Sequence, residues 1–80
     1  MDLTGYNVRP SKHVIKTWMR KWNYTLDEMK NAIENAYRTE KVGKYKYETY
    51  IRTKGGSRKL IFIKDDEYKD ILIITGAEGK

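Results

Sequence analysis

Imidazole is the side chain best suited to proton transfer near neutral pH, and the chain carries one, His13. Around it stand Arg9, Lys12, Lys16, Arg20 and Lys21, a basic run with no acid between its members. On a helix, His13, Lys16, Thr17, Arg20 and Lys21 project on neighbouring sides of one cylinder, an arrangement suited to holding a phosphate. The plainer alternative is a histidine at a helix start that faces solvent or caps the helix. A second group follows in Lys44, Tyr45, Lys46, Tyr47, Tyr50, Arg52, Lys54, Arg58 and Lys59. Cations neutralise phosphates while tyrosine rings stack on unpaired bases, a combination that fits single-stranded RNA. The alternative is ordinary strand-forming tyrosine with a solvated charged face. Tyr45 and Tyr47 share their side with Ile51 and are expected in the core; Tyr50 alternates with Lys46 and Arg52 and is expected exposed.

Other chemistries find little support. Zero cysteines exclude a disulfide framework, a thiolate zinc site and a thiol nucleophile. Asp65, Asp66, Glu67 and Asp70 lack the glycine and terminal glutamate spacing of a calcium loop and read as a solvated turn. There is no glycine-rich phosphate loop and no serine nucleophile elbow, and neither a metal nor a cofactor is expected. Seventeen Lys and Arg against eleven Asp and Glu leave a net charge of +6, which makes a polyanion the default partner. No stretch approaches the roughly 18 apolar residues that a membrane span requires, and a cytoplasmic location is expected.

The elements that must position these groups fit one domain over residues 1–80; a chain this short buries only roughly 60–65% of its unfolded surface. Residues 1–10, with Gly5 and Pro10, read as an arm. Ser11 supplies an N-cap for a helix over 11–22, with Val14, Ile15, Trp18, Met19 and Trp22 as its apolar stripe. Thr25 and Glu28 form a capping box for a second helix over 25–38, whose stripe is Leu26, Met29, Ile33, Ala36 and Tyr37, with Tyr24 and Met29 placed as a hydrophobic staple. Alternation then predicts a strand over 44–53, a glycine turn at Lys54-Gly55-Gly56-Ser57, an interior strand over 58–64 and a last strand over 70–75. The expected fold is α+β in the order ααβββ, a helical hairpin covering one face of a three-stranded antiparallel sheet.

Ser11-Lys12-His13-Val14 at a helix start, Asn23-Tyr24-Thr25 running through Asn31-Ala32-Ile33, Lys59-Leu60-Ile61-Phe62-Ile63, and Asp70-Ile71-Leu72-Ile73-Ile74-Thr75-Gly76 carry a resemblance. Together they resemble a family of small domains related to the RelE and BrnT type II toxins, within the barnase, EndoU, colicin and RelE-like group of nucleases. The resemblance spans roughly residues 11–78, and its Ser-x-His helix start is the most specific element. It implies a RelE-like fold, a metal-independent endoribonuclease acting on mRNA, free or on the ribosome, and a cognate antitoxin that masks the basic surface. The free protein would be a monomer or weak homodimer.

In the reaction so implied, a ribose 2′-OH attacks the adjacent phosphate. His13 would carry a proton, Tyr50 or a lysine with a lowered pKa could serve as the second shuttle, and Lys16, Arg20, Arg52 or Arg58 would stabilise the anionic phosphorane. Lys12, Lys16, Lys21, Lys46, Arg52, Arg58 and Lys59 would bind the nucleic acid. The chain departs from the family pattern at Thr17, where an arginine is common, and at Lys21-Trp22, where an Arg-Gly pair is common. Two further readings stay open: a non-catalytic nucleic-acid-binding module or regulator, and a protein-interaction domain for an acidic partner.

Overall fold

Thr25 and Glu28 make the reciprocal cap that their spacing predicts. In the computed structural model, which describes residues 1–79, Glu28 N donates to Thr25 Oγ1 at 3.2 Å and Thr25 N donates to Glu28 Oε1 at 3.0 Å. The helix they start, α2, covers Leu26–Glu34 and buries Met29 and Ile33. Before it, a π-helical segment (Val14–Met19) runs into a single α-helical turn, α1 (Arg20–Trp22). Asn23, at φ 55, closes that helix in the left-handed conformation that asparagine tolerates, and Tyr24 N donates to Met19 O at 2.9 Å across five residues.

The remaining elements are strands: β1 (Asn7–Pro10), β2 (Arg38–Lys41), β3 (Lys46–Thr53), β4 (Gly56–Asp65) and β5 (Asp70–Gly79). They form one five-stranded sheet in the order β1-β5-β4-β3-β2, with β1 parallel to β5 and every other pair antiparallel. This overturns the expected three-stranded antiparallel ααβββ arrangement of RelE type. The chain opens with a strand, and the sheet is mixed and dominates the fold.

The individual corrections have local causes. Residues 1–10 are no arm: Leu3 is fully buried, Val8 pairs with Ile71, and Asn7 N donates to Lys69 O at 2.8 Å. Pro10 stands at the last position of an edge strand, where its missing amide costs no ladder bond. The second helix stops at Asn35 rather than 38, and Arg38-Thr39-Glu40-Lys41 pairs with β3 instead. Tyr37 therefore leaves the buried stripe and stands 53% exposed; Leu26, the first residue of α2, is exposed as well. Ile15 also faces out, because the widened π-helical turn brings Val14 and Trp22 inward. Tyr45 precedes β3 and is 53% exposed, not core, whereas Tyr47 packs against the core and stacks on Phe62 at 5.5 Å. Of the strands expected over 44–53, 58–64 and 70–75, the first starts two residues later, at Lys46, the second extends at both ends to Gly56–Asp65, and the third runs on to Gly79.

Both helices lie on one face of the sheet, the face that carries Val8, Ile51, Leu60, Phe62, Ile71 and Ile73. No element of the described residues covers the opposite face. That asymmetry is what makes a functional surface available.

Candidate functional site

The register of the strands sorts side chains between the two faces, because successive residues alternate. Since Leu60 and Phe62 point into the core, Lys59, Ile61 and Ile63 point to the open face. Their partners across the sheet follow in rows. One row runs Arg38, Tyr50, Lys59, Ala77; the next runs Glu40, Glu48, Ile61, Thr75; a third runs Lys46, Ile63, Leu72, Arg9. Arg52 opens a fourth row with Ser57 and Gly79. Rows are about 7 Å apart along the strands.

The densest functional group on this face is aromatic and cationic. The rings of Tyr37 and Tyr50 have centroids 6.5 Å apart, the Arg52 guanidinium lies 4.7 Å from the Tyr37 ring centre, and the Arg38 guanidinium lies 5.6 Å from that of Tyr50. Lys59 Nζ is 6.0 Å from the Tyr50 ring centre. Tyr37 is held beside Tyr50 by a backbone bond from Tyr37 N to Tyr50 O at 3.2 Å. Within the group, Arg38 is paired with Glu40 and Lys59 with Glu48, the latter at 2.9 Å. The hydrogen bond to Glu48 holds the Lys59 ammonium above the usual lysine pKa. A shallow groove of about 220 Å³, lined by Tyr50, Ser57, Lys59, Ala77 and Gly79 among others, runs beside the ring.

His13 reaches the same face at its margin. β5 carries one residue more than β4 at Ile61/Phe62, so that Phe62 pairs with Ile73 but Ile61 pairs with Thr75. The bulge turns Thr75 outward, onto the side of Ile61, and His13 Nε2 lies 3.2 Å from Thr75 Oγ1. Gly76 then faces the helices, and a Cβ there would meet Lys59 O at 2.9 Å, Trp22 Cη2 at 3.1 Å and Trp18 Cγ at 3.2 Å. The first helix takes over the flank of β5 where β1 ends: Ser11 N donates to Ile73 O at 2.9 Å and Ser11 Oγ to Ile74 O at 3.2 Å. By the row spacing, Tyr50 and Thr75 stand roughly 12 Å apart, two strands across and one row along.

The residues expected to act together are thus divided. Lys46, Tyr50, Arg52 and Lys59 share the open face, and His13 meets it at the β5 edge. Arg58 does not: opposite Ile51, it turns to the helical side, its guanidinium 4.9 Å from the Trp22 ring centre and 5.2 Å from that of Tyr24. Lys21 is also on that side, 3.6 Å from Glu78, whose carboxylate accepts from Trp22 Nε1 at 2.7 Å. Lys12, Lys16 and Arg20 are exposed on the helical layer. Tyr37 and Arg38 prolong the helical spacing of α2, which hides them from the site when the sequence is read alone. The signal that finds them is Asn35 as a helix stop, followed by a short alternating run.

Among the described residues no group of three or more acids and histidines could hold a metal ion, and no helix is long and apolar enough to cross a membrane. Compared with family models, with curated proteins and with solved structures, the chain finds no match.

Proposed function

We propose that this protein binds single-stranded RNA on the open face of its sheet. One observation carries the reading: Tyr37 and Tyr50 stand together with Arg38, Arg52 and Lys59 on a sheet face that no element of the described residues covers. Unpaired bases stack on such rings, and the adjacent cations neutralise the connecting phosphates. The net charge of +6 draws the polyanion in. Titrating isotope-labelled protein with an eight-nucleotide single-stranded RNA tests the placement. Amide shifts should concentrate in β3, β4 and the second half of β5; shifts confined to the helical layer around Lys16 and Arg20 would refute it.

A second reading, a metal-independent endoribonuclease of the toxin kind, is favoured by one contact, His13 on Thr75 at the margin of the same face. On that reading His13 exchanges protons during attack of the 2′-OH, which yields a cyclic phosphate and a free 5′-OH. A cognate antitoxin would then mask the face. Cleavage of RNA in EDTA that is lost in His13→Ala supports this reading, while binding without cleavage leaves the binding module alone.

A further inference from the structure

Glu48 is out of place in a cluster built to meet phosphates. It lies on the open face between Glu40 and Ile61, two residues from Tyr50 on the same strand, with its side chain only 20% exposed. Its Oε1 takes a hydrogen bond from Lys59 Nζ at 2.9 Å. An ionised carboxylate offers about four lone-pair sites and the ammonium three N–H donors. After the Glu48–Lys59 bond is made, both groups retain capacity for a ligand. On the side of Tyr50 and Lys59 away from Glu48 opens the groove of about 220 Å³, lined also by Ser57, Arg58, Ala77, Glu78 and Gly79. Lys59 pairs directly with Tyr50 across the strands and Glu48 stands two residues from Tyr50 on the same face of β3, so an ammonium and a carboxylate border the Tyr50 ring.

We propose, on the single-stranded RNA reading above, that Glu48, Tyr50 and Lys59 form a base site selective for guanine. The guanine pairing edge presents two adjacent N–H donors beside a carbonyl acceptor. The Glu48 carboxylate accepts from N1–H and from the N2 amino group, Lys59 donates to O6, and Tyr50 supplies the stacking surface. Adenine and cytosine offer one amino donor next to a ring acceptor, and uracil one N–H between two carbonyls. Each leaves a carboxylate oxygen desolvated against no donor, or against a carbonyl, and an unpaired buried acceptor is costly. Tyr50 and Lys59 alone would be tolerant of any base; Glu48 makes the site discriminate.

The test is fluorescence anisotropy with labelled octauridylate and with three versions carrying a central guanosine, adenosine or cytidine. The guanosine oligomer should bind about tenfold tighter than the others, in the lower part of the range for a bidentate base contact. In Glu48→Gln that ratio should fall to about one while octauridylate still binds, and binds somewhat better because a negative charge is gone. A purely structural or electrostatic role for Glu48 would shift all four oligomers together and leave the ratio unchanged, which overturns the proposal. Equal binding of all four by the unaltered protein overturns it too, with RNA binding intact; no binding at low salt overturns both readings. Should Glu48→Gln fail to fold, competition on the unaltered protein decides: guanosine 5′-monophosphate must displace octauridylate at lower concentration than adenosine 5′-monophosphate does.

Discussion

His13 Nε2 and Thr75 Oγ1 lie 3.2 Å apart although 62 positions separate them in the chain. The contact depends on the bulge, since unbroken pairing would set Thr75 opposite Leu60 and turn it towards the helices. The bond is exposed, so Thr75→Val should cost under about 1 kcal/mol of stability. Proton NMR of the imidazole ring in that variant should show a changed environment with the fold retained. An unmoved ring signal would mean that the two groups do not meet in solution.

Gly76→Ala should be far more damaging. The added methyl meets a backbone carbonyl and two indole rings, none of which can yield as a flexible side-chain tip would. A loss of about 1–3 kcal/mol is expected, lowering the unfolding midpoint by several degrees in a domain of this size. Urea unfolding measures it; equal stability would show that the tryptophans and β5 are not in close contact.

The first ten residues should be indispensable. Leu3 is fully buried, and the Tyr6 hydroxyl donates to Asp66, which ties the start of β1 to the adjoining turn between β4 and β5. Leu3→Ala should cost about 2–5 kcal/mol, a large part of what a small domain possesses. A chain shortened by its first ten residues should show no cooperative thermal transition, whereas a detachable arm would leave the transition intact.

Acid should loosen the same region. Lys64, assisted by Tyr6, holds the Asp66 carboxyl below its usual range, and Arg9 does the same for Asp70. A carboxylate with a lowered folded-state pKa contributes stability that is present above its unfolded value, about 3.9, and is lost as pH falls through the folded value. Lys64 is raised chiefly by Asp66, so its contribution is complete below about pH 10.4 and fades as pH rises through its folded value. Thermal midpoints should therefore fall below about pH 4, and Asp70→Asn should flatten that fall. An unchanged acid slope in the variant would show that Arg9 and Asp70 do not interact.

What the sequence reveals here is what is local. Thr25 and Glu28 satisfy each other within one turn, the Lys54-Gly55 turn needs only the positive φ of Gly55, and β3 shows its two faces by alternation alone. β1 is hidden because four residues containing a proline and one buried side chain, Val8, become a strand only through β5, some sixty positions away. β2 is hidden because Ala36 and Tyr37 prolong the helical spacing past the true stop. For the site, alternation finds Lys46, Tyr50 and Arg52 on one face. Counting parity across the hairpin would also have put Arg58 on the other, since it pairs with buried Ile51. The bulge that brings Thr75 to His13 leaves no mark in residue types.

The salt dependence of RNA affinity tells which side of the sheet holds the phosphates. For a single strand, each phosphate contact contributes about 0.7 to the slope of log affinity against log salt. Arg52→Ala and Lys46→Ala, both on the open face, should each flatten the slope by about that amount, while the double change Lys16→Ala with Arg20→Ala on the helical layer should leave it unchanged. The opposite outcome, a slope that responds to Lys16 and Arg20 but not to Arg52 and Lys46, would contradict the account and move the RNA to the other side of the sheet.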